Sequence, residues 1–259
     1  VKDIFFLSGL PRAGNTLFGS IMNQNPKVAV TANSITADMM GELFTLKKTD
    51  IFQNYPDHKS FDNVAAKVFD HYYQDWKADY IIDRAPWGMP PNLNFLKHTR
   101  KNIKIIVLVR DIIEVLASFV RWSQREPTAF INKHAKTVEE KCDKLMNHEG
   151  VIVKELIAVK HLLQDKNKGL YKIIEYNDLV KYPKKIINSI YDFLEIPYFK
   201  HRFINLDQFK VNDMSYDETP VGQRLHTIKT DAIYKDTYNA YNIIPKSIVE
   251  KYKQCNFWR

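Results

Sequence analysis

The chain has 259 residues, 45% of them hydrophobic, which is enough for one large core and suits a single α/β domain. It holds no run of 18 or more apolar residues, so no segment reads as a membrane-spanning helix. The formal net charge of +8 suits an anionic partner, but lysine outnumbers arginine 29 to 9, and a solvated lysine surface accounts for much of the excess.

The chain opens on the apolar run 4–7, with no charged leader or small-residue cleavage site ahead of it, and this reads as a strand rather than a signal peptide. Further short, β-branched-rich runs at 80–82, 103–109 and 171–174, and a weaker one at 28–30, read as buried strands. Helical patterns are expected at 16–25, 36–46, 61–76, 112–122, 138–163, 184–194 and 246–252, the last following Pro245. Strands alternating with helices imply a mostly parallel sheet covered on both faces, in one domain spanning residues 1–259. Residues 205–241 are polar and aperiodic, and are expected to form an ordered loop or lid. Cys142 and Cys255 show no CxxC spacing, so neither a disulfide framework nor a metal site is expected, and a reducing, cytoplasmic setting fits best.

The residues after the first strand are Gly9-Leu10-Pro11-Arg12-Ala13-Gly14, leading into a helix near Thr16. A glycine-rich turn feeding a helix N-terminus aims backbone N–H groups and the positive end of the helix dipole at one point, which is a phosphate nest. The spacing nearly matches the Walker A pattern Gly-x-x-x-x-Gly-Lys-Ser/Thr, with Gly9, Gly14 and Thr16 in place but Asn15 where the lysine belongs. Asn15 argues against a nucleotide kinase, because that lysine serves the β- and γ-phosphates. A non-catalytic nucleotide or nucleic-acid binding module is a further reading, but no RNA- or DNA-binding motif accompanies it. Arg12, Arg84 and Arg110 all follow strand ends, where α/β sheets bind ligands, and three planar guanidinium forks suit a highly charged phosphate compound.

The run Leu10-Pro11-Arg12-Ala13-Gly14-Asn15-Thr16-Leu17 resembles the 5′-phosphosulfate loop of sulfotransferases that use 3′-phosphoadenosine 5′-phosphosulfate (PAPS), whose tyrosylprotein and bacterial members carry a Pro-Arg-Ser-Gly-Thr-Thr-Leu type of sequence. Ala13 and Asn15 depart from it and remove two hydroxyls. Arg110, at the end of 105–109, and Ser118, on the next helix, resemble the family's 3′-phosphate pair, and Tyr176-Asn177-Asp178-Leu179 resembles its Tyr-Glu-Asp-Leu segment beside the nucleotide. In the polar loop 223–230, Arg224, His226, Thr227 and Lys229 are further candidates for donor contacts.

The resemblance implies a P-loop-type enzyme that passes a sulfuryl group to a small-molecule, glycan or peptide hydroxyl, or to an amine, and leaves 3′-phosphoadenosine 5′-phosphate (PAP). No metal, nucleic acid or membrane is called for. Arg12 is expected at the leaving 5′-phosphate and Arg84 at the sulfuryl oxygens. Arg84 stands where relatives place a lysine or histidine, yet a guanidinium stays protonated and cannot serve as a base. Asn33 falls where the tyrosylprotein branch has its catalytic glutamate, so the base must be sought elsewhere. Asp38 is the first choice, with Glu42, Asp83 and His226 as the other candidates.

Overall fold

The computed structural model describes residues 2–233 and 238–259. Five parallel strands form the sheet: β1 (Asp3–Gly9), β2 (Val28–Val30), β3 (Tyr80–Arg84), β4 (Ile105–Val109) and β5 (Tyr171–Glu175), in the order β2-β3-β1-β4-β5. The chain leaves β1 for β2 and β3 on one side, then crosses to β4 and β5 on the other. The head of β1 is therefore the topological switch point, where open α/β sheets leave a crevice. Register brings the three arginine-bearing ends together: Leu7 of β1 lies beside Arg84, and Gly9 beside Leu108.

Helices cover the sheet: α1 (Asn15–Met22), α2 (Thr36–Leu46), α3 (Asp50–Asn54), α4 (His58–Tyr72), α5 (Pro90–Thr99), α6 (Ile112–Arg125), α7 (Val138–Met146), α8 (Val151–Leu162), α9 (Tyr176–Lys181), α10 (Pro183–Leu194) and α11 (Lys246–Tyr252). The five residues of β4 are fully buried, as a central parallel strand requires. Phe6 of β1 packs edge-on against Trp87 and Phe69, at ring-centroid distances of 5.0 and 5.5 Å. The Asp111 carboxylate caps α6 by accepting the Ile113 N–H at 2.9 Å, and it also accepts bonds from Asn256 and Arg259.

All five expected strands are present, with β3 extended to Arg84 and β4 starting at Ile105 rather than 103. The helix expected over 138–163 is two helices, α7 and α8. At Gly150 an added Cβ would lie 2.2 Å from the Leu145 carbonyl oxygen, so the chain doubles back there too tightly for a side chain. The helices α3, α5 and α9 were not expected. Residues 205–233 carry only the isolated bridges Ile204–Ala232 and Val211–Met214, yet Leu206, Phe209, Val211 and Leu225 are buried and pin the segment to the body. Residues 234–237 of the expected loop lie outside the described residues.

Candidate active site

The turn after β1 is held from beneath. The Leu10 N–H donates to the Leu108 carbonyl at 2.9 Å, and the buried Asn15 amide donates to the Leu10 carbonyl at 2.8 Å. Asn15 thus braces the turn and does not present a cation, which is the physical consequence of losing the Walker lysine. Arg12 and Gly14 both have positive φ, 62° and 89°, folding the turn over itself. Gly14 precedes α1 with no side-chain cap, which leaves the first helical N–H groups for an anion. A Cβ on Gly14 would lie 2.9 Å from the Tyr176 ring, so that ring forms a wall against the turn.

One pocket is lined by Pro11, Arg12, Gly14, Asn15, Thr16 and Leu17 of this turn, by Arg84, Arg110, Ser118 and Tyr176, and by His226, Thr227 and Lys229 of the long loop. Ala13 is fully buried beneath the turn and is not part of that lining. Arg224 is exposed and lines the adjoining groove, together with Arg121 and Arg125 of α6. Of the residues named from the sequence for the donor, all but Ala13 and Arg224 line this one pocket, and the expected base Asp38 does not.

Arg110 is 5% exposed, and its guanidinium meets Glu114 at 3.0 Å and the Arg12 carbonyl at 3.2 Å while lying 4.2 Å over the Tyr176 ring. Ser118, two turns along α6, accepts from Arg12 Nε at 3.0 Å, and Arg12 also donates to the Leu225 carbonyl. Arg12 therefore ties the turn, α6 and the long loop together. Arg84 projects from the end of β3 and donates to Asn33 Oδ1, which holds this guanidinium in place.

The carboxylates sort differently from expectation. Asp38 and Glu42 are exposed on α2 and outside the pocket lining, which removes the geometric case for either as base. Asp83 is fully buried and faces the core: it accepts from Tyr73 at 2.5 Å, Thr36 at 2.7 Å and Trp87 at 3.0 Å, and burial raises its pKa. It locks β3 to α2 and α4. His226 has its Nδ1 3.1 Å from Glu218 and stacks on Tyr216 at 3.8 Å with an interplanar angle of 2°.

Two acids escaped the sequence reading. Glu218 lies in an aperiodic loop, where nothing local marks it. Glu155 of α8 accepts from Ser8 Oγ at 3.3 Å, and burial pushes its pKa up to about 7, with the Arg84 charge pulling the other way.

A parallel sheet with a phosphate-nest turn at its switch point and three arginines around it defines a P-loop-like α/β nucleotide-binding protein. The chain belongs to the sulfotransferase family, whose family model matches residues 4–200. No curated protein sequence matches it. Among solved structures, mouse sulfotransferase SULT7A1 complexed with PAP aligns at 13% identity and TM-score 0.57, covering 98% of this chain and 82% of that one. A sulfotransferase from Alicyclobacillus acidocaldarius aligns at 13% identity and TM-score 0.55, covering 78% of this chain and 85% of that one. The sulfotransferase domain from the curacin biosynthetic pathway aligns at 18% identity and TM-score 0.50, covering 98% and 91%. Identities this low establish the shared fold; the family match establishes sulfuryl transfer as the class of reaction.

Proposed function

We propose that this sulfotransferase takes its sulfuryl group from PAPS and passes it in line to a hydroxyl or amine of a small molecule, glycan or peptide. The observation that carries this reading is the convergence of Arg12, Arg84, Arg110 and Ser118 on one pocket at the mouth of an uncapped helix. Arg110 and Ser118 would hold the 3′-phosphate, and the turn of residues 11–17 the 5′-phosphosulfate, with the Tyr176 wall beside them. The mouse neighbour's bound PAP supports the same donor.

Arg12 and Arg84 would meet charge that grows on the leaving phosphate and on the sulfuryl oxygens, and preorganised cations act there without reorganisation. The kinase reading loses ground because Asn15 is turned inward as a brace. Calorimetry tests the donor: PAP should bind well ahead of AMP and ATP, and equal affinity for all three would sink the assignment. Transfer of labelled sulfate from PAPS to peptide, glycan and small hydroxyl acceptors then identifies the acceptor class.

A further inference from the structure

We propose that the general base of the transfer is His226, carried on the 205–233 loop and oriented by Glu218. This rests on the sulfuryl-transfer reading above. Glu218 Oε1 accepts the His226 backbone N–H at 2.9 Å and faces its Nδ1 at 3.1 Å, while Oε2 accepts the Leu225 N–H at 3.0 Å. An ionised carboxylate only accepts, so the imidazole proton sits on Nδ1 and Nε2 keeps its lone pair. In that tautomer Nε2 cannot donate to a sulfuryl oxygen, whereas it can take a proton. The flat stack on Tyr216 fixes the ring plane, and the residue lines the same pocket as Arg12 and Arg84.

The groups facing the ring act in both directions. Burial lowers the His226 pKa most, Glu218 on the same loop raises it, and Arg84 at the end of β3 and Arg12 in the phosphate turn lower it, for a net value below the ordinary one. The imidazole is therefore neutral near pH 7, as a base must be. In the reaction the acceptor O–H gives its proton to Nε2 and the acceptor oxygen forms a bond to sulfur. The bond from sulfur to the 5′-phosphate oxygen breaks, and its electron pair stays on that oxygen beside Arg12. The imidazolium is stabilised by Glu218 and then releases its proton to solvent.

The loop is seated so that the base can be in place: Leu225 holds Arg12 through its carbonyl, and the Trp122 indole donates to the Gln223 carbonyl at 2.8 Å. The competing group is Glu155, which already accepts from Ser8 and does not line the pocket.

The test compares His226→Gln, Glu218→Gln and Glu155→Gln in single-turnover transfer at saturating labelled PAPS. It uses the best acceptor of the panel, or water as the acceptor if none is taken. His226→Gln should lower the rate at saturating PAPS about 10²–10⁴-fold and abolish the acidic limb of the pH profile. Glu218→Gln should move that limb to lower pH, because its carboxylate raises the imidazole pKa. NMR of isotope-labelled imidazole above neutral pH should report the Nδ1–H tautomer at His226, a readout that needs no acceptor. A wild-type rate in His226→Gln, an Nε2–H tautomer, or loss of the acidic limb in Glu155→Gln alone would each overturn the proposal. Failure of the wild-type protein to bind PAP would instead overturn the donor assignment on which it rests.

Discussion

Arg110 has little freedom, being held by Glu114 and the Arg12 carbonyl over the Tyr176 face, so its fork is presented in one orientation. Arg110→Ala should weaken PAP binding by roughly 2–5 kcal/mol, as calorimetry would read, and should also lower the melting temperature because the buried ion pair with Glu114 is lost. Arg110→Lys keeps the charge but not the fork and should fall between. Kinetics should separate the three arginines: Arg12→Ala and Arg84→Ala depress kcat at saturating PAPS by ~10²–10³, whereas Arg110→Ala chiefly raises KM for PAPS, since the charge of a 3′-phosphate does not change during transfer. Normal turnover in Arg84→Ala would leave Arg84 a strand-end residue held by Asn33. Glu155 bears on stability. Its pKa rises from 4.5 to about 7 on folding, so the folded state binds the extra proton between those values and its stability falls as pH climbs through that window. Glu155→Gln removes the slope and should be the more stable protein above neutral pH, by ~1–3 kcal/mol once its partial exposure is allowed for. Urea unfolding at both ends of the window would check it, and a difference independent of pH would show that Glu155 does not titrate there.

At the scale of elements, the connection after β3 depends on a close approach that no side chain could survive. A Cβ on Gly88 would lie 2.3 Å from the Ala158 carbonyl oxygen of α8, and the Gly88 carbonyl is 2.9 Å from His161 Nδ1. Gly88→Ala should therefore push α8 off the sheet and cost roughly 1–3 kcal/mol, visible as a lower urea midpoint at unchanged m-value. The strands were legible because buried parallel strands are short runs of β-branched and aromatic residues, as in Ile105–Val109. The phosphate turn and Arg110 were legible because they follow such runs directly. Helix α5 was not, since Pro90 and Pro91 look like breakers, yet they sit at its first positions, where a missing N–H costs nothing. The α7–α8 break was hidden by apolar residues that continue a helical pattern across Gly150. Asp38 stands out in the sequence only by its nearness to Asn33, whereas the acids that approach the site, Glu155 and Glu218, come from a distant helix and a patternless loop. Residues brought in by tertiary contact leave no periodic signal.

Across the whole molecule, the pocket is a junction of segments far apart in sequence: the phosphate turn, the ends of β3 and β4, α6, the start of α9 and the 225–233 stretch. The last of these is held over the first by the Arg12 bond to the Leu225 carbonyl and by the buried Leu225 side chain, while bonds from the Leu225 and His226 N–H groups to Glu218, and from the Ile228 N–H to Gln208 at 3.1 Å, brace the loop within itself. Such a segment opens locally at less cost than the buried strands. A donor that touches both the phosphate turn and the loop must be released, or its contacts broken, each time the loop lifts. At about 100-fold excess over its Kd, PAP should then slow hydrogen exchange of the Leu225, His226 and Ile228 amides by up to about 100-fold, the factor set by mass action. Helix α3 buries none of its residues and lies outside the pocket lining, so its amides open without disturbing the donor and should exchange at the same rate with and without PAP. Arg12→Ala should shrink the protection at Leu225 and His226 even where PAP remains bound, because the arginine's bond to the loop is gone. Equal loop exchange with and without saturating PAP would mean that residues 205–233 are a fixed wall of the pocket and not a lid.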